Sequence, residues 1–154
     1  MAKPPTRVRV SWTGDHRFDA GRPDGPTIHV DADAKTAPGP VDTLVIALGS
    51  CTMVDVVDIL AKRRTPVTRL TVDATADRAD KIPARLTAVR LDFHMDGPGI
   101  DRTNAERAID LSVSKYCSVR DSLDPAIPVE FTLTLNGEAG RPVAAGSLTT
   151  PSAP

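Results

Sequence analysis

Aromatic side chains are scarce in this 154-residue chain: one tryptophan, one tyrosine and three phenylalanines, 3% in all. A core of stacked rings is excluded, so the interior has to rest on Val, Leu, Ile and Ala within an apolar share of 40%. An excess of one charge is also lacking. Nineteen Lys and Arg stand against twenty Asp and Glu, a net charge of −1. That balance offers neither a basic field for nucleic acid nor a polybasic anchor for a membrane surface. The most apolar stretch, residues 44–54, is too short to cross a bilayer and soon meets Asp55 and Asp58. Residues 1–9 are basic and Pro-containing, without the apolar run of a secretory signal. A cytoplasmic location is expected. In such a reducing compartment a bond between the chain's two cysteines would be transient rather than a permanent staple. His16, His29 and His94 lack ligand spacing, so neither a metal nor another cofactor is expected.

What is present suits one α+β domain. Residues 7–12 alternate Val8, Val10 and Trp12 with Arg7, Arg9 and Ser11, the period of a strand. Turns at Thr13-Gly14-Asp15 and at residues 21–26 follow, then a short strand at 27–31. A Pro/Gly loop leads into the strongest helix, residues 41–64, with Asp42 near its positive end and Lys62, Arg63 and Arg64 near its negative end. Its first half is apolar on nearly every side, which predicts burial inside the molecule or between subunits. Two strands come next, carrying Leu70, Val72, Ala74 and Ala76, and then Val89, Leu91, Phe93 and Met95. A second helix opens near Thr103 and Glu106, which have capping-box spacing, and runs toward Cys117. A short helix over 118–123 and a last strand with Val129, Phe131, Leu133 and Leu135 complete the domain at residues 1–137. Residues 138–154 show no core-forming pattern and read as a mobile tail.

Cys51 and Cys117 are the candidate reactive residues. Spacing places Cys51 mid-helix on the same side as Leu48 and Val54, just after the small residues Gly49 and Ser50. Glycine inside a helix costs about 1 kcal/mol relative to alanine, which points to a close approach of backbone or ligand beside the thiol. The plainer reading treats both cysteines as small buried hydrophobes. Neither sits in a Cys-x-x-Cys pair, and spacing alone leaves both readings open.

Two segments carry a family resemblance. Gly39-Pro40-Val41-Asp42, Leu44 and Ala47-Leu48-Gly49-Ser50-Cys51-Thr52 resemble the first cysteine helix of the OsmC/Ohr family. Pro98-Gly99-Ile100-Asp101 and Lys115-Tyr116-Cys117-Ser118-Val119 resemble its second cysteine segment. The Tyr-Cys-Ser-Val form is that of an OsmC-like subgroup, which Val56-Val57-Asp58-Ile59-Leu60 also fits. The resemblance covers residues 8–136.

It implies an intertwined homodimer, with antiparallel sheets wrapped around central helices. It also implies thiol-dependent reduction of a hydroperoxide, most plausibly organic, with Cys51 attacking the O–O bond and Cys117 resolving the sulfenic acid as a disulfide. An external dithiol then restores both thiols. The family's activating arginine falls near Arg17, with Arg22 a second position, and its supporting glutamate falls where this chain has Asp42, one methylene shorter. Asp55, one turn beyond Cys51, would oppose a thiolate if unpaired. A non-enzymatic dimer of the same fold, responding to redox state or binding a small molecule, is the alternative.

Overall fold

A computed structural model describes residues 1–148. The chain divides into two compact units, Met1–Leu44 and Val45–Pro154.

In the first unit, β1 (Arg9–Gly14), β2 (Arg17–Gly21) and β3 (Thr27–Asp31) form an antiparallel meander. Gly14 and Asp15 make the first turn with φ of 122° and 47°, a backbone that glycine adopts freely. β2 was not resolved as a separate element by its five residues of mixed character. Register aligns Val10, Ala20 and Ile28 in one row, and Trp12, Phe18 and Val30 in the next. Because side chains alternate along a strand, these rows share one face. On that face Val10 is 63% exposed and Trp12 70%. At the end of β3 the buried Asp31 carboxylate accepts the backbone N–H groups of Asp33, Lys35 and Thr36 and the Thr36 hydroxyl. The Thr36 N–H chiefly, with its companions, holds this carboxyl down to about 2.

Helix α1 (Pro40–Lys62) begins on a proline, whose missing N–H has no helical partner to lose. It closes where Arg64 turns to φ 62° and the Thr65 N–H reaches the Leu60 carbonyl. Apolar character on all sides does not translate into burial on all sides. Leu48, Gly49, Thr52, Val56 and Leu60 are buried, while Ile46 and Val54 lie more than half exposed.

The second unit is built on β4 (Arg69–Arg78), β5 (Leu86–Asp96) and β6 (Val129–Leu135), with short strands β7 (Glu138–Ala139) and β8 (Val143–Ala144) both paired to β6. β4 and β5 form the expected antiparallel ribbon, but β5 and β6 run parallel. The connection between them is a helical crossover, as a parallel pair requires. That crossover is α2 (Arg102–Leu111), a π-helical turn at Ser112–Tyr116 and α3 (Ser118–Asp121). The alternating residues Leu91, Phe93 and Met95 of β5 and Phe131 and Leu133 of β6 are buried, as are Ala105, Ala108, Ile109 and Val113 of the crossover.

Two sequence expectations need correcting. Helix α2 is capped by Asp101, whose carboxylate accepts the Asn104 N–H at 2.9 Å, so Thr103 lies inside the helix. Glu106 instead meets Arg102 at 3.2 Å. The domain also continues past residue 137. β7 and β8 extend the sheet, and the fully buried Asp110 carboxylate accepts the N–H groups of Gly146 (2.5 Å) and Leu148 (3.0 Å). Small residues without apolar alternation hid this segment, because backbone pairing needs no side-chain pattern. The remainder of the expected tail, residues 149–154, lies outside the described residues.

Candidate dithiol site

Cys51 projects from the middle of α1 and is half-buried. Its placement differs from the expected sharing of one side by Leu48 and Val54. At about 100° per residue those two positions lie roughly 120° apart around the helix. Leu48 is buried and Val54 60% exposed, and Cys51 lies outside the fully buried stripe. Gly49 admits a close neighbour: a Cβ there would meet Val72 Cγ1 of β4 at 3.3 Å. The approach foreseen beside the thiol is thus a strand side chain on the core face.

Cys117 follows the π turn and caps α3. It is 2% exposed. Its N–H donates to the Ser112 carbonyl at 2.8 Å, and its sulfur accepts the Arg120 N–H at 3.3 Å. The two cysteines are brought together: both are free thiols, and Cys51 is close enough to raise the Cys117 thiol. Burial pushes the Cys117 thiol up to about 11; the Arg120 N–H opposes that, while the neighbouring Cys51 side chain reinforces it.

Asp55 does not confront the thiols unpartnered. Its carboxylate lies 2.8 Å from the Ser112 hydroxyl, which also approaches the Thr52 carbonyl at 3.1 Å. Ser112 was not singled out by sequence reasoning; a serine within a helical stripe carries no signal of a cross-helix bond. Two cavities adjoin the cysteine segments. One, of about 440 Å³, is lined by Val113, Cys117, Arg120, Leu123 and Ile127. The other, of about 660 Å³, runs past Asp55, Asp58, Lys62, Arg107 and Tyr116.

The supporting residues have other partners. Arg17, at the start of β2, lies 2.7 Å from the Asp15 carboxylate, and both side chains are exposed. Arg22 is exposed in the β2–β3 turn, where its carbonyl accepts the Gly25 N–H. Asp42 accepts the Gly39 N–H at 2.8 Å and so caps the entry to α1. No ion pair joins Arg17 to Asp42 among the described residues.

Two neighbouring free thiols, one on α1 and one at the start of α3, define the site of this α+β protein. The model of the OsmC-like protein family matches residues 31–132, and this chain belongs to that family. It is 33% identical over 124 residues to Protein YhfA of Escherichia coli K12, covering 80% of this chain and 92% of YhfA. Among solved structures, an OsmC-like protein from Mycoplasma pneumoniae superposes with a TM-score of 0.75 at 18% identity, covering 87% of this chain and 99% of that one. The organic hydroperoxide resistance protein OhrB of Bacillus subtilis superposes at 0.59 with 11% identity, covering 84% and 98%. At these identities the structural matches speak for the fold.

Proposed function

We propose that the protein reduces organic hydroperoxides through its two thiols. The Cys51 thiolate attacks the O–O bond, taking one oxygen as a sulfenic acid and releasing the alkoxide, which is protonated to the alcohol. The Cys117 thiol then attacks the Cys51 sulfur, forming a disulfide and releasing water. An external dithiol reduces that disulfide and returns both thiols. The observation that carries this reading is the proximity of two free thiols, Cys51 raising the Cys117 thiol, which puts a second sulfur beside the sulfenic acid. The apolar lining beside Cys117 favours an organic peroxide over a wholly polar one. The family includes proteins named for organic hydroperoxide resistance, which supports the same substrate class.

The working form in this reading is a homodimer in the cytoplasm. Support comes from two uncovered apolar surfaces, Val10, Trp12 and Ile28 on the first sheet and Ile46 and Val54 on α1, which a second copy would remove from water. In this reading Arg17 supplies the activating cation and Asp42 its support, the roles that the family resemblance implies. Their present partners, Asp15 and the Gly39 backbone, favour a second reading, a redox-responsive dimer without rapid turnover.

The deciding experiment treats reduced protein with one equivalent of cumene hydroperoxide and maps the sulfurs by mass spectrometry. Equimolar peroxide loss with a Cys51–Cys117 linkage supports the enzyme. Unchanged thiols, with peroxide remaining, would overturn it.

A further inference from the structure

Hydroxyls in helices usually satisfy themselves on the carbonyl one turn back. Thr43, Ser50, Thr52, Ser114 and Ser122 all do so, bonding the carbonyls of Gly39, Ile46, Leu48, Asp110 and Ser118. Ser112 behaves differently. Its hydroxyl leaves its own helix and reaches α1, 2.8 Å from the Asp55 carboxylate and 3.1 Å from the Thr52 carbonyl, on the turn that begins immediately after Cys51. Its carbonyl accepts the Cys117 N–H at 2.8 Å. One fully buried residue therefore touches the turns bearing both sulfurs, one through its side chain and the other through its backbone.

The backbone at this point is unusual in the same way. α2 widens into a π turn at Ser112–Tyr116, and the bond from Cys117 to Ser112 spans five residues instead of four. Such insertions alter where a helix delivers its next side chain, and they concentrate at functional positions. Here the next side chain is Cys117. Without an anchor at its start, the widened turn could shift Cys117 along α1. With Ser112 tied to α1, that shift is restrained.

We infer that Ser112 is a positioning residue that holds Cys117 in bridging register with Cys51. This rests on the disulfide-forming role proposed above and assigns Ser112 to its second step. Cys51 and peroxide are left to react as before, while condensation of the sulfenic acid with the Cys117 thiol depends on the tether. Asp55 acquires a corresponding duty as the nearer acceptor of the Ser112 hydroxyl.

The test compares the wild-type protein with Ser112→Ala, Asp55→Val and Asp55→Asn. Rapid-quench mixing with cumene hydroperoxide follows the first step by peroxide loss. Dimedone trapping and disulfide mapping follow the second. Ser112→Ala is expected to change the first rate by less than about twofold and to slow closure by about tenfold or more, as loss of orientation does in an intramolecular step. Asp55→Val should slow closure in the same sense, whereas Asp55→Asn, which keeps an acceptor oxygen, should stay near wild type. Unchanged closure in both Ser112→Ala and Asp55→Val overturns the proposal, as does an equal fall in both steps together with the melting temperature. Should Ser112→Ala not fold, Asp55→Val decides alone. A dithiothreitol redox titration of the same proteins reads the effective concentration of Cys117 at Cys51 without peroxide. It should drop about tenfold in Ser112→Ala if the tether sets the register, so loss of peroxidase activity in the wild type overturns the parent reading and leaves this one measurable.

Discussion

Cys117 is buried and held protonated beside the half-buried Cys51, an order of accessibility that puts the more exposed sulfur first. The roles in turnover follow that order. Cys51→Ser is expected to abolish peroxide consumption, which a ferrous–xylenol orange assay reads directly. Cys117→Ser should consume about one equivalent and then stall, with Cys51 advancing to the sulfinic acid on further peroxide, visible as a mass gain of two oxygens. Equal turnover with and without Cys51 would remove the enzyme assignment.

The raised pKa of Cys117 has a pH signature. An ordinary cysteine near 9.0 ionises before this one at about 11. Iodoacetamide should therefore modify Cys117 slowly in the native reduced protein at pH 8 to 9 and readily in urea. The sign for stability follows. A folded pKa above the unfolded one contributes stability that is complete below about 9 and lost as the pH rises through about 11. The melting temperature should fall over that window, and Cys117→Ala should flatten the fall.

Asp31 gives the opposite case. Its carboxyl is held at about 2, below the ordinary 3.8, by the N–H groups of the loop it organises. Its contribution is present above pH 4 and disappears as the pH drops through about 2. Asp31→Asn is expected to lower the melting temperature at pH 7, with the gap from wild type closing toward pH 2. A constant gap across that range would contradict the assignment.

Arg17 can be separated from a purely structural residue by its rate effect. The Arg17–Asp15 pair is exposed, and such pairs are worth about 1 kcal/mol or less, so Arg17→Ala should leave the melting temperature nearly unchanged. If Arg17 stabilises the Cys51 thiolate, the first oxidation step slows by about tenfold for each pKa unit of stabilisation lost. Stopped-flow measurement of that step, with Asp42→Ala alongside, distinguishes the two roles.

Solution mass tests the dimer. Light scattering is expected to give twice the mass of one chain. Trp12→Glu should shift it toward the single-chain value, since an ionised side chain resists burial against a partner.

Much of the architecture was legible because periodicity records which side of an element meets the core. Alternation in residues 89–95 located β5, and the apolar stretch with Pro40 and Lys62 at its ends located α1. Spacing left the role of both cysteines open; what singled them out was the resemblance of their two segments to the family. What escaped had no apolar period to betray it. The Asp101 cap depends on one backbone angle, β7 and β8 pair through main-chain atoms, and the Ser112 tether joins residues distant in sequence. The parallel pairing of β5 with β6 was hidden for a related reason, since pattern identifies strands without giving their relative direction.

Asp110 sets a practical limit on where this protein can be cut. Ending the chain at residue 137 looks harmless from composition, yet it would strip a submerged carboxylate of the Gly146 and Leu148 amides that solvate it in place of water. The carboxylate would then draw in solvent, loosening the helix that leads to Cys117. An innocuous-looking terminal trim would thereby reach the chemistry.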